Sequence, residues 1–174
     1  MSKKRAKKKS PDEIVWTKRA IKKIKRADDL RPKLVYSYTM DSLVEATASR
    51  YGKRVALKLY NDEHSAVTYS QMQHAKDAIG LYLMDQGFGH GDRIALLGES
   101  SPTWLLAYFG ITSIGCIAVP ILPDFSSKEI LEILSHSEAK AVVVNTRHFE
   151  KIVPFINDYP EALFRMEDLF HIPS

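Results

Sequence analysis

The chain has 174 residues, one domain's worth, of which 45% are hydrophobic and one is cysteine; no intrachain disulfide framework is possible, and a globular fold in a reducing compartment is expected. The formal charge of +4 joins two opposite parts. Residues 1–33 hold fourteen Lys and Arg against four Asp and Glu, a local +10, which leaves eleven of the 25 basic and seventeen of the 21 acidic residues to the rest, a local −6.

Residues 1–33 form a basic arm. Lys3 to Lys9 is a solvated run that predicts disorder. From Pro11, the spacing of Ile14, Ala20, Ile21 and Ile24 among lysines predicts a short basic amphipathic helix, suited to an anionic membrane surface with Trp16 at the interface. A solvated, frayed arm fits the same residues. Nucleic acid is disfavoured as a partner, because the acidic body continues no basic stripe for a phosphate backbone to follow. No apolar run follows the basic start before Ile14-Val15-Trp16, so the pattern is not that of a secretory leader, and a cytoplasmic protein, peripheral at most to the inner face of a membrane, is expected.

Residues 34–174 read as the body. Met40, Leu43, Val44, Thr47 and Tyr51 recur at helical spacing up to Gly52, where a left-handed glycine cap is predicted. Val55 to Tyr60 and Ala66 to Tyr69 read as a hairpin around Asn61–Ser65. Ser70 with Gln73 predicts a capping box for a helix ending at Gly87. The following Gly87-Phe88-Gly89-His90-Gly91 ends a helix and precedes a strand, the reverse of a dinucleotide loop, and reads as a tight connection.

From Trp104 to Leu122 no residue is charged. Such a run is either a membrane span or the buried centre of a soluble α/β unit. Ser101-Pro102 starts a helix here, Gly115 closes it, and Pro120 and Pro123 follow, so the helix stops well short of the ~20 residues a bilayer needs. Strand 93–97, buried helix and strand 117–120 is therefore the better reading. Ser126 and Glu129 form another capping box, Ala141–Val144 reads as a parallel strand covered on both faces, and Thr146 is predicted to cap a helix to about Asn157. The alternation predicts an α/β fold, a mostly parallel sheet with helices on both faces and right-handed crossovers.

Five segments in this order, T-Y-S-Q-M at 68–72, G-D-R-I-A-L-L at 91–97, S-P-T-W-L-L-A-Y-F-G at 101–110, G-C-I-A-V-P at 115–120 and E-I-L-E-I-L-S-H-S-E-A-K-A-V-V-V at 129–144, are similar to the start of AMP-forming acyl-CoA synthetases. The chain resembles the N-terminal part of a long-chain fatty-acid–CoA ligase of the adenylate-forming superfamily. Thr103 stands where such proteins commonly carry an acidic residue, and Ser100-Ser101 where asparagine is frequent; both lie at a helix start that serine and threonine also cap.

The resemblance implies a two-step ligase. A fatty acid carboxylate attacks the α-phosphorus of ATP to give an acyl-adenylate, and the thiol of coenzyme A displaces AMP. Magnesium and basic groups neutralise the developing phosphate charge. The work needs a Ser/Thr/Gly-rich loop with a lysine, a Thr-Glu pair at the metal, an aspartate on the ribose and a lysine of a C-terminal domain. None of these patterns occurs in the sequence, and the six histidines, at 64, 74, 90, 136, 148 and 171, lack the paired spacing of a metal site. Cys116 reads as a buried small residue and His136 as a helix-end residue. The sequence therefore assigns no catalytic, cofactor-binding or metal residue and predicts the incomplete N-terminal subdomain of an adenylate-forming enzyme, inactive alone. ATP, magnesium and coenzyme A belong to the complete enzyme. The alternative is a non-catalytic membrane-surface or interaction module working through its basic arm.

Overall fold

The computed structural model describes residues 39–157 and 162–171; the arm over residues 1–33 lies outside them. Four helices, α1 Met40–Tyr51, α2 Tyr69–Asp85, α3 Pro102–Ser113 and α4 Ser127–Ser137, alternate with β1 Val55–Leu59, β2 Asp62–Thr68, β3 Arg93–Leu97, β4 Ile117–Ile121, β5 Ala141–Val144, β6 Ala162–Arg165 and β7 Phe170–His171. β1 and β2 pair antiparallel as a separate ribbon, turning at Asn61, whose φ of 58° suits the asparagine side chain. The other five strands form one sheet in the order β4-β3-β5-β6-β7, parallel except for β7.

Sheet parity divides the core. Ile94, Leu96, Ala141, Val143 and Phe164 face α1, α2 and α3, in one cluster with Val44, Met72, Ile79, Leu83, Leu106 and Ile111. Ala95, Leu97, Val142, Val144 and Leu163 face the other way, onto Ile130 and Leu134 of α4 with Ile152 and Phe155. α3 connects β3 to β4 on one face; α4 carries the chain back across β3 to β5 on the other. Opposite faces for opposite directions keep both crossovers of one hand. The uncharged run is thus most of α3 followed by β4, with β3 before it, and among the described residues no helix is long and apolar enough to cross a membrane.

α3 is apolar all round because both its sides are covered, by the sheet and by α2. It approaches α2 through glycine: a Cβ on Gly110 would stand 2.5 Å from Ile79 Cβ, and one on Gly80 would stand 2.8 Å from Ser113 Oγ and 2.9 Å from Ile114 Cγ2. β4 lies at a sheet edge. Ile117 N donates to Asp92 O, so Val119 and Ile121 also turn their N–H groups toward β3, and the donor that Pro120 lacks would have pointed outward.

Several local expectations are corrected. The cap of α2 is Thr68, whose hydroxyl accepts from Gln71 N while the Gln71 side chain accepts from Thr68 N at 2.8 Å; the box sits two residues before the Ser70–Gln73 pair, because β2 runs directly into the helix. Gly52 is right-handed, with φ −41°, and owes its smallness to a close approach: its Cβ would lie 2.5 Å from Ser70 Oγ. The segment after β5 is two 3₁₀ pieces, Thr146–Lys151 and Val153–Phe155, in place of an α-helix; Asn145 caps the first, accepting from His148 N, and Pro154 sits at the start of the second. β6 and β7 were not predicted. The capping of α3 by Ser101 with Pro102 in its first turn, and the Ser126–Glu129 box of α4, are as predicted.

The glycine-rich turn 87–91 is a structural clamp at the amino end of β3. Gly87 and Gly91 have φ of 93° and 87°. Gly89 N donates to Asp92 Oδ2 at 2.9 Å, and Cys116 Sγ donates to Gly89 O at 3.0 Å. Lys140, at the start of β5, reaches Asp92 Oδ1 at 2.6 Å. The hydrogen bond from Lys140, then that from the Gly89 N–H, hold the Asp92 carboxyl below its ordinary value. A depressed carboxyl contributes stability above its unfolded value of about 3.9 and loses it as pH falls through the folded value. Asp92→Asn is therefore expected to lower the urea midpoint at pH 7, with the deficit shrinking toward pH 3. A deficit equal at every pH would refute this account.

Candidate functional site

In an open α/β sheet ligands approach the carboxyl ends of the strands, where successive connections leave in opposite directions. Here that place lies between β3, whose connection runs toward β4, and β5, whose connection runs toward β6. Topology brings Gly98-Glu99-Ser100, Asn145-Thr146-Arg147-His148 and Met166-Glu167 together at this crevice. Asn145 N donates to Leu97 O and Met166 N to Val144 O, fixing the three strand ends side by side. Gly98 is buried, and a Cβ there would press on Met166 Cε at 3.0 Å.

Four charged or titratable groups meet at this edge. Arg147 Nη1 donates to Glu99 Oε2 at 3.1 Å, and His148 Nε2 stands 3.7 Å from Glu99 Oε1. Glu167 Oε1 accepts from Thr146 N at 2.8 Å, so this carboxylate shares with Asn145 the capping of the first 3₁₀ turn. His148 Nε2 and Glu167 Oε2 are both buried and have no hydrogen-bond partner among the described residues. Such atoms are costly and rare. Lys151 is spent structurally, donating to Pro123 O and to Phe125 O.

Sequence reading missed this cluster. It set the histidines aside because none is paired at ligand spacing, whereas Glu99 and His148 are 49 positions apart and meet only through the crossover. The signal available was position: each follows a strand end. The other residues weighed in the sequence have structural surroundings. Cys116 is buried, and desolvation, with the Asp92 charge secondary, pushes its thiol up to about 11. His136 is exposed in the last turn of α4, beside a shallow groove of about 500 Å³ between that helix and β4, lined also by Val119, Phe125 and Glu132.

The described residues do not fit a nucleotide with its magnesium. No three of their His, Cys, Asp and Glu side chains are grouped as metal ligands. The glycine turn lies at the amino end of β3, the wrong end of the sheet, and its N–H groups at 89 and 91 already serve Asp92 and Gly115. The N-termini of α1, α2 and α4 are closed by their own capping boxes, and that of α3 by the Ser101 hydroxyl.

Comparison with known proteins gives the family. A family model described as "AMP-binding enzyme" matches residues 44–163. Among similar curated proteins, 4-hydroxybutyrate–CoA ligase 2 of Metallosphaera sedula is 28% identical over 133 residues, covering 76% of this chain and 24% of that protein. A long-chain-fatty-acid–CoA ligase of Thermus thermophilus is 35% identical over 102 residues, covering 58% and 19%. Among solved structures, the anthranilate CoA ligase AuaEII superposes with a TM-score of 0.68 at 23% identity, over 74% of this chain and 25% of that one, which shows the shared fold. The chain thus spans about a quarter or less of the length of these three proteins. With the five sequence segments lying in β2–α2, β3, α3, β4 and α4–β5 of that fold, the chain belongs to the AMP-binding, adenylate-forming enzyme family.

Proposed function

We propose that this chain is the N-terminal part of an ATP-dependent acid–thiol ligase, which activates a carboxylic acid as its acyl-adenylate and passes the acyl group to coenzyme A. The family match over residues 44–163 carries this reading. The sequence segments favour a long-chain fatty acid as substrate, and one of the relatives is named for that substrate while another is named for 4-hydroxybutyrate. In this reading residues 34–174 supply scaffold, the groups that handle ATP, magnesium and coenzyme A belong to other parts of the ligase, and no residue of this chain is catalytic. The work is done in the cytoplasm, with residues 1–33 meeting anionic lipid at the membrane's inner face, a role that their +10 charge favours.

The test is acid-dependent formation of AMP and pyrophosphate by protein from the whole reading frame, with palmitate, octanoate, 4-hydroxybutyrate and benzoate compared at equal concentration. Turnover greatest with palmitate is expected, and none is expected from residues 1–174 alone. Greatest turnover with a shorter or aromatic acid would refute the chain-length reading, and no turnover with any acid would refute the ligase reading.

A further inference from the structure

The charge of the chain is graded along its length in a way that the fold makes spatial. Residues 34–60 hold Arg50, Lys53, Arg54 and Lys58 against Asp41 and Glu45, whereas residues 61–174 hold seven basic and fifteen acidic residues. The body's excess of cations is thus confined to α1 and the ribbon strand that follows it.

On α1 the buried face is Val44 and Ala48, and Asp41 turns the same way to meet Lys76 of α2. The adjacent stripe, at intervals of three and four, is Met40, Leu43, Thr47 and Arg50. Met40 is 41% exposed and Leu43 53% exposed. The chain then presents Lys53, Arg54 and Val55, all exposed, beyond the helix end. Arg50 and Arg54 flank the Tyr51 ring at 5.4 and 5.3 Å, so these guanidinium groups are held at the surface by an aromatic support. Large apolar side chains in solvent beside fixed cations make an amphipathic surface of the kind that lies on lipid, with apolar groups entering the acyl boundary and cations at the headgroups. A nucleic-acid surface would give the cations without the exposed leucine and methionine.

We propose that the exposed stripe of α1, with Lys53, Arg54 and Val55 after it, is a docking surface for an anionic membrane. This builds on the reading that residues 1–33 meet lipid, and it adds a defined face of the folded body, so that docking orients the domain and does not merely tether it.

The experiment is co-sedimentation of the full chain with vesicles of 70% phosphatidylcholine and 30% phosphatidylserine, the composition being a choice of probe, at about 0.1 M salt, where the Debye length is about 10 Å. Four proteins are compared: the natural chain, Leu43→Asp, Lys53→Gln with Arg54→Gln, and a chain with Lys3, Lys4, Arg5, Lys7, Lys8 and Lys9 all changed to Gln. The lysine–arginine pair is expected to weaken partitioning about 25-fold, at roughly fivefold per cation. Leu43→Asp is expected to weaken it about tenfold or more. Both should leave the thermal midpoint within a degree or two, since these side chains are exposed. Loss confined to the six-residue arm variant overturns the docking surface and leaves the arm reading intact. Loss confined to the α1 variants upholds the surface and removes the arm. Absence of vesicle binding by the natural chain, or binding to duplex DNA that the Lys53/Arg54 variant abolishes, overturns the proposal.

Discussion

Replacing Asp41 by Ala is expected to destabilise the fold by about 3 kcal/mol, more than any exposed substitution on α1. Lys76 lies in the middle of α2 with only 2% of its surface exposed, and it pairs with Asp41 in the first turn of α1 and with Asp77 at 3.1 Å. Taking an ammonium out of water costs several kcal/mol, returned only while its partners are in place. Removing Asp41 leaves that charge buried with one carboxylate and takes away the ion pair that links α1 to α2, whose apolar contact through Val44 remains. Lys76→Met removes the buried charge itself and keeps the apolar stem, so it is expected to cost less than half as much. Urea unfolding of the two variants decides the matter. Equal losses would mean that the lysine's packing holds the helices together and its charge pairing does not.

Gly110→Ala is expected to destabilise by about 2 kcal/mol or more, against the direction of helix propensity. Within a helix, alanine is favoured over glycine by about 1 kcal/mol. At Gly110, however, the new Cβ would stand 2.2 Å from Ile79 Cγ2 and 2.5 Å from Ile79 Cβ. The second contact is to an atom anchored on the α2 backbone and cannot be relieved by a rotamer change, so the helices must separate and open the core above Ile94 and Leu96. Ile79→Ala in the same chain should recover part of the loss, because it removes one of the two colliding atoms. A Gly110→Ala chain as stable as the natural one would show that α2 and α3 are farther apart than described.

The parts of this fold legible in the sequence are those where a local pattern and the tertiary environment agree. Ser101-Pro102 and Ser126-x-x-Glu129 announce helix starts because the cap is a short-range hydrogen bond between residues three apart. Ala141–Val144 announces a central strand because helices and 3₁₀ turns cover the sheet on both sides and leave it no polar face. Thr68 was missed because two boxes overlap within six residues, and propensity does not reveal that β2 continues to the helix. β6 was missed because Ala162-Leu163-Phe164-Arg165 is too short to show a period; its identity as a strand comes from Val142 and Val143 beside it. The same holds for the candidate site. Glu99, Arg147, His148 and Glu167 carry no motif; the crossing of α4 over β3 sets the end of β5 beside that of β3, and the next connection adds the end of β6.

Pro120 has a consequence for how copies of this chain meet. An exposed parallel edge invites another strand to add to it, and one added strand becomes the template for the next. Along β4 the outward backbone donors fall at positions 118 and 120, and Pro120 deletes one of the two. A five-residue border that lacks one of its two outward donors is a poor template for a further strand, so Pro120 disfavours self-association through β4 at the level of the backbone. Pro120→Val would restore that donor and put a β-branched side chain in its place, turning a terminated sheet into one able to grow.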